Sequence, residues 1–547
     1  MSSELIKQCE QRYNTLKTEK DFWNPHYQSL AESFLTRKQN FTTDFVAGEF
    51  LQSEIFDNTG QFTAQLMASA FLSMLWPDSA RSFVIEPTPE FADTPGVEKY
   101  FKNVNEVMYS ALDNPKAGLG LALQEHFLDQ GIFGTSGVSA FADNKDGVPI
   151  TFSSWGVKNM CITENSEGLV DGVYYERTYT TRQIMDSYEE DEVSPEVKAL
   201  FNSGGVDKKI KVLIVLDKRS DRERKGKEGA MGMACRSLHI DLTNKHLMKE
   251  EGYGEFPVFV VRFFKTTEES YGRSPGMMAL PDQLSLNVLK ESLMVATEKQ
   301  LDPPLGIMDD GRLGGGTIDT SAGALNVFNM SGRAGAEKAV FPLFTVGELN
   351  SPKELIEEFK AAITQAFFID RLLNINNEVQ MTAYETSVRR KMQGESLTSV
   401  FSRQIVELFT PLVERCFNIL LRKGMFGKLP EGLADTDKEV YSIRYISPAK
   451  RFMEGDKLQG ILNVADFLVT AGAAMPSVVD NVDLDELTRS LVKHNGVSGV
   501  LRVIEDVEKL RAEVAEQMAK EKELEAAQQL SGINSEVAQA DAMKRQQ

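Results

Sequence analysis

Residues 281–302, PDQLSLNVLKESLMVATEKQLD, and residues 351–372, SPKELIEEFKAAITQAFFIDRL, carry the same pattern, and that match decides the fold. Leu286, Leu289, Leu293 and Ala296 recur at three- and four-residue spacing in the first stretch. Leu355, Phe359, Ala362, Ile363, Ala366 and Phe367 do so in the second. Each stretch therefore reads as a helix with one apolar stripe. At about 1.5 Å per residue, two helices of about twenty residues both span about 30 Å. Pro281 precedes the first, while Asp302, Pro303 and Pro304 stop it, because proline lacks the N–H and forces its predecessor into extended geometry. Ser351 and Pro352 supply an N-cap and a first-turn proline for the second. The two stripes can face each other as a hairpin.

Between the rods, residues 302–351 hold nine glycines, including Gly314, Gly315 and Gly316. GALNVFNM (323–330) and VFPLFTV (340–346) read as short strands, so a small β-rich tip is expected. A phosphate cradle fails because no Lys-Ser or Lys-Thr follows Gly316, and Gly118-Leu119-Gly120 lacks a third glycine and a ribose-binding acid. Asp309 and Asp310 could attract a cation, but adjacent carboxylates in a flexible turn read better as solvated.

Outward from the hairpin, residues 3–36 read as a helix presenting Leu5, Cys9, Tyr13 and Leu16 on one face. Residues 59–76 form a helix stopped by Pro77, Ser82–Glu86 a strand, and 97–130 amphipathic helices. Strand character follows at 131–141, 149–154, 209–216, 237–242 and 256–264. The turn DKRSDRERKGKEG (217–229) concentrates Lys218, Arg219, Arg222, Arg224, Lys225 and Lys227 without interleaved aromatics. Base stacking is thereby disfavoured, leaving a solvated hairpin tip, with electrostatic contact to DNA or a neighbouring subunit as the alternative. After the second rod, Asn374, Asn376 and Asn377 break the period. Thr382 and Glu385 then open a long helix interrupted by Gly394 and Pro411, where a kink is expected. A strand at 439–446 precedes helices near 451–473, 483–495 and 498–526, and the Gln/Ala/Ser-rich tail after Gln528 reads as disordered.

Composition narrows the class. The chain has 547 residues, 42% of them hydrophobic, which is enough for several cores. No apolar run reaches membrane-spanning length, and the polar start MSSELIKQCEQRYNTLKTEK is not a secretory leader. Cys9, Cys161, Cys235 and Cys416 lie far apart, with no zinc or disulfide spacing. His26, His126, His239, His246 and His494 form no zinc-protease pattern, and no serine elbow accompanies them, so no catalytic set, cofactor site or metal site is expected. Sixty basic against eighty acidic residues leave a net charge of -20, which opposes tight nonspecific grip on DNA phosphates.

The segments YGRSPGMMALPDQLSLN (271–287), DPPLGIMDDG (302–311), MTAYETSVRR (381–390) and VELFTPLVERCFNILLRKG (406–424) strongly resemble the head-to-tail connector, or portal, proteins of short-tailed bacteriophages. The motifs cover roughly 270–430, with looser agreement in TGQFTAQLMASAFLSMLWPDSARSF (59–83). The resemblance implies an α+β portal-type subunit, divided here as an α/β wing (1–280), stem helices (281–302 and 351–372) and a β-rich clip (303–350). A channel loop (373–381), a long kinked helix returning to the wing (382–450), a helical crown (451–527) and the tail (528–547) complete it. It also implies a noncatalytic ring of twelve copies at one capsid vertex of the virion, assembled in the host cytoplasm, through which double-stranded DNA is packaged and ejected. The implied partners are the large terminase subunit, a tail adaptor protein, and the major capsid and scaffolding proteins. By the same analogy Asn374, Asn376, Asn377 and Gln380 touch DNA. Lys290, Lys299, Lys353 and Lys360 are the candidate lumen cations, and Asp309, Asp310, Arg312, Arg333 and Lys338 the candidate clip docking surface. A non-channel capsid or tail scaffold, or an intracellular enzyme with a scattered site, are the alternatives.

Overall fold

The computed structural model describes residues 2–38, 40–42, 48, 55–77, 80–91, 94, 96–143, 147–309, 318–329, 340–344, 347, 350–372, 397–430, 440–453, 460–461, 464–470, 482–494, 507 and 509–520. Internal contacts divide the chain into two units. The first comprises Met1–Ser82, Val107–Met425 and Pro448–Met453, and the second Phe83–Glu106, Phe426–Ser447 and Glu454–Gln547.

Helices α1 (Ser2–Asp21), α2 (Asn24–Phe34) and α3 (Thr59–Leu75) open the first unit. The single helix expected over 3–36 is thus two, divided at residues 22–23. Strand β1 (Phe83–Pro87) and helix α4 (Val97–Leu112) follow, then α5 (Leu119–Phe133), β2 (Thr135–Ala142) and β3 (Ile150–Gly156). Next come β4 (Met160–Glu164), β5 (Val170–Thr180), α6 (Thr181–Ser187), α7 (Pro195–Asn202), β6 (Lys209–Lys218), the short turn of helix α8 (Asp221–Arg224), β7 (Cys235–Asp241), β8 (His246–Tyr253) and β9 (Val258–Arg262).

Strands β4-β5-β6-β7-β8 form one antiparallel sheet. Side chains alternate faces along a strand, and β6 shows the consequence. Leu213 and Val215 join Ile6, Cys9 and Tyr13 of α1, whereas Ile210 and Val212 join Ile184, Val193 and Val197 around α6 and α7. A second sheet, β3-β2-β9, lies at the heart of the unit, with all five residues of β9 buried. Arg262, the last of them, is enclosed among Glu164, Glu407 and the Gly168 carbonyl.

The motif that follows β9 is a packing device. Tyr271 is buried. Gly272 lies so close to Gly134 that a Cβ on Gly134 would meet the Gly272 carbonyl at 2.2 Å. Gly134 itself has φ +81°, the left-handed region that favours glycine. Ser274 accepts from Met277 N at 3.0 Å as an N-cap and donates to Ile132 O at 2.7 Å. Pro275 then starts helix α9 (Pro275–Leu301).

Strands β10 (Leu305–Asp309), β11 (Leu325–Asn329) and β12 (Val340–Pro342) form the tip sheet in the order β11-β10-β12, with β10 parallel to β11 and antiparallel to β12. Helix α10 (Asn350–Ala366) returns, followed by α11 (Ile369–Leu372), then α12 over 397–404 and α13 (Thr410–Arg422), separated from it by a π-helical turn over Ile405–Phe409. Just before Pro411 the chain makes that π turn: Thr410 N bonds Ile405 O, five residues back, and the proline occupies the first turn of α13. Gly394 and the Thr382–Glu385 start lie outside the described residues.

In the second unit, β1 pairs antiparallel with β13 (Tyr441–Tyr445), and Arg444 forks onto Glu86 at 3.0 and 2.7 Å. Asn105 ties the strand to its helix by bonding both the N–H and the carbonyl of Ile85. Beyond it lie α14 (Pro448–Met453, which belongs to the first unit), α15 over 464–470, α16 (Leu484–His494) and α17 over 509–520. Arg511 forks onto Asp485 at 2.6 and 2.7 Å. The tail after Gln528 lies outside the described residues.

Candidate functional site

The helical hairpin differs from its sequence reading in three ways. First, α9 begins at Pro275 and takes in Pro281, so that proline does not precede the helix. Ser274 and Pro275 supply the start instead. Second, the rods are unequal: α9 has 27 residues and α10 has 17. The second rod breaks because Phe368 adopts φ 59°, an uncommon backbone for a bulky residue. Its ring lies parallel to Phe263 at 6.3 Å and packs edge-on to Phe264, and Arg371 sits 5.4 Å above it. Tertiary packing of this ring overrides helix propensity. Third, Ile356, not Leu355, is buried, as are Ile363 and Phe367, the last edge-on to Phe34 of α2; Leu355 is exposed.

At its base α9 is clamped to residues far away in sequence. Gln283 accepts from Gly60 N at 3.1 Å and donates to Asp57 O at 3.0 Å. Asn287 accepts from Phe56 N at 2.7 Å. Lys290 stands 3.5 Å from the buried Asp57 carboxylate. Lys360 of α10 pairs with Glu357 at 2.8 Å; that hydrogen bond, helped by Asp57, raises its pKa.

Of the four candidate lumen cations, Lys290 and Lys360 are therefore drawn to carboxylates. Lys299 lies over the Phe344 ring at 6.0 Å. Lys353 is exposed and makes no ion pair or hydrogen bond among the described residues. Asp309 pairs in backbone register with Asn329. Asp310, Arg312, Arg333 and Lys338, like Asn374, Asn376, Asn377 and Gln380, lie outside the described residues.

The sequence reading missed a second apolar stripe on α9. Leu284, Val288 and Val295 are 50%, 62% and 44% exposed. At about 100° per residue they fall within about 40° of one another, on the side opposite Leu286, Leu289 and Leu293. Helix α9 thus presents one apolar face to α10 and another, interrupted by the exposed Glu291, to solvent. Met294 and Leu301 of α9, Leu325 and Val340 of the tip sheet and Phe344 beyond it are exposed as well. The signal was present in the quoted stretch, since Leu284, Val288 and Val295 share a helical face. Asp57 had no such signal, because its partners Gln283 and Lys290 are over two hundred residues away.

Among the described residues no group of three or more His, Cys, Asp or Glu is placed to hold a metal ion. No helix among them is long and apolar enough to cross a membrane. The arrangement offers a surface for assembly.

Residues 6–501 match the family model described as bacteriophage head to tail connecting protein. The chain is 24% identical over 480 residues to a "Probable portal protein" of Bordetella phage BPP-1, covering 87% of this chain and 84% of the relative. It is also 24% identical over 526 residues to the "Portal protein" of Salmonella phage epsilon15, covering 94% of this chain and 91% of that one. Among solved structures, the neck of an empty gene transfer agent particle aligns over 77% of this chain and 92% of its own, at 14% identity and a TM-score of 0.34. The virion of the native gene transfer agent particle aligns over 74% and 97%, at 12% identity and a TM-score of 0.31.

Proposed function

Because the chain belongs to the bacteriophage head to tail connecting protein family, we propose that it is a portal subunit: a noncatalytic virion component that forms a ring at one capsid vertex and conducts the genome in packaging and ejection. The exposed stripe of Leu284, Val288 and Val295, on the side of α9 away from its hairpin partner, carries the ring reading. An apolar face of this kind on a helix that is already paired marks an interaction surface, and identical copies around a closed symmetry axis offer each stripe a partner. The twelve-copy number rests on family resemblance.

In this reading residues 281–302 and 351–372 are the stem, 303–350 the clip that docks first the large terminase subunit and later a tail adaptor, and 373–381 the channel loop. Residues 1–280 are the wing, 382–450 the long helix returning to it, 451–527 the crown and 528–547 the tail. Asn374, Asn376, Asn377 and Gln380 meet double-stranded DNA through neutral groups that form and release hydrogen bonds readily. Major capsid and scaffolding proteins contact the outer ring. The net charge of -20 suits a conduit that must not hold phosphates. Among the stem lysines, Lys353 is the best lumen candidate, because Lys290 and Lys360 are occupied at the base. Asp309, Asp310, Arg312, Arg333 and Lys338 remain the proposed polar docking residues of the clip.

Purified protein viewed as single particles tests the reading: closed rings with an open central hole are expected. A chain that stays monomeric under every assembly condition would overturn it.

A further inference from the structure

Helix α1, strands β5 and β6, residues 40–41 and the turn before β4 line a partly open cavity of about 340 Å³ within the first unit, at the small end of ligand pockets. Four lysines line it: Lys17, Lys20, Lys158 and Lys211. Only two carboxylates do, and both have other partners. Glu176 takes Lys211 at 2.9 Å, Lys17 at 3.6 Å and the Tyr13 hydroxyl at 2.7 Å. Asp21 accepts from Asn24 at 2.8 Å.

Lys20 is the anomaly. It is only 4% exposed, and its ammonium donates to the Lys158 carbonyl and pairs with no carboxylate among the described residues. An ammonium has three donors to satisfy, and a buried charge without a counterion is costly. Burial, the largest cause, pulls the pKa of this amine down to about 8 against weaker upward pulls that include Asp21 and Glu176. In a protein of net charge -20, a lysine-lined hollow around an unpaired buried ammonium is not a solubility feature.

We propose that the cavity binds a small oxyanion of the phosphate class, seated on Lys20 and flanked by Lys17, Lys158 and Lys211. A tetrahedral oxyanion supplies acceptors in several directions, which suits donors converging from a helix, a strand and a loop. A duplex backbone cannot reach an ammonium so enclosed, so the ligand is a free anion. This site is separate from the hairpin surface and does not rest on the ring reading.

The full-length protein is titrated with inorganic phosphate at constant ionic strength, with chloride as the control, and followed by calorimetry and thermal melting. Phosphate should bind and raise the melting temperature, while chloride does neither. Lys20→Met should abolish the phosphate response and raise the phosphate-free melting temperature, because the unpaired charge is gone. Lys158→Gln, whose side chain is exposed, leaves the core untouched and should weaken phosphate binding about tenfold through loss of one charge-assisted contact; it decides the matter should Lys20→Met not fold. No phosphate response in the wild type, or an unchanged response in the variants, overturns the proposal. So does binding of a duplex oligonucleotide that free phosphate fails to displace.

Discussion

Arg262 and Glu407 are joined twice: the Arg262 guanidinium donates to Glu407 Oε1 at 2.9 Å and its backbone N–H donates to Oε2 at 3.1 Å. The side chains are 1% and 6% exposed. Glu407 projects from the π turn and Arg262 ends the buried strand β9, so this pair fastens the turn before Pro411 to the central sheet. Without Glu407, Arg262 keeps Glu164 and the Gly168 carbonyl, but two buried donors lose their acceptors, which costs about 1–3 kcal/mol. Glu407→Ala is expected to lower unfolding free energy by that amount in urea titration. Adding Arg262→Met should recover much of the loss, since Glu164 keeps Lys265 at 2.9 Å. A double variant as unstable as the single one would refute this account of the pair.

The outer stripe of α9 makes a different demand. Val288 is well exposed in the lone chain, so a charge there costs the subunit little, yet buried between copies it would stand unpaired in an apolar seam. Val288→Asp should leave the circular dichroism spectrum and melting of the subunit close to wild type while lowering ring yield at least tenfold by size-exclusion chromatography with light scattering. Lys353→Glu, on the same hairpin, serves as the comparison and should still assemble. Normal rings from Val288→Asp would remove the stripe from the interface.

How far the sequence disclosed this arrangement depended on the range of the forces involved. The period of Leu286, Leu289 and Leu293 is local, and these three are the side of α9 that is buried or half-buried. Leu355 and Ile356 are adjacent apolar residues, and which one is buried depends on a rotation of about 100°, finer than a stripe can specify. Pro281 looked like a helix start because proline breaks helices, yet the Ser274 cap had already begun α9. Phe368 breaks α10 through two rings just after β9, Phe263 and Phe264, roughly a hundred residues away in sequence. Strands β4, β5 and β8 carry no clear sequence signal, although β5 is the longest strand described. In β5 the polar and aromatic residues Tyr174, Tyr175, Glu176 and Arg177 run together, which masks its alternation.

Two histidines set a pH dependence. His239 bonds the Tyr188 hydroxyl through Nδ1 at 2.7 Å, and burial lowers its pKa to about 4. His126 is fully enclosed, and burial, opposed by the Gln404 side chain, lowers it to about 3. Both values lie below the unfolded value of about 6.5, so below that pH the unfolded chain binds protons first and stability falls as pH drops. The loss attributable to His239 accumulates between about pH 6.5 and 4 and reaches roughly 3 kcal/mol. Urea midpoints measured at pH 7, 5.5 and 4.5 should therefore decline, and His239→Gln should decline less over the same interval. Parallel wild-type and variant curves would show that His239 is not a source of the acid sensitivity.

Gly134 and Gly120 are glycines of two kinds, and substitution separates them. A side chain on Gly134 must both tolerate φ +81° and displace the Gly272 carbonyl, while Phe263 N bonds Gly134 O at 2.8 Å and holds the backbone in place. The left-handed backbone costs about 1–2 kcal/mol and the overlap about 1–3 more. Gly134→Ala should therefore destabilise by about 2–5 kcal/mol in denaturant titration. Gly120 lies in the first turn of α5 with nothing within 4 Å of its would-be Cβ. Gly120→Ala should then stabilise by up to about 1 kcal/mol, which is the outcome expected if the Gly-Leu-Gly sequence is simply a helix start. Loss of stability or of a nucleotide-dependent melting shift on Gly120→Ala would mean instead that this glycine is held for a ligand. The same measurement on Gly134→Ala asks whether the Tyr271–Gly276 motif is maintained by the closeness of two backbones, and a variant as stable as wild type would answer no.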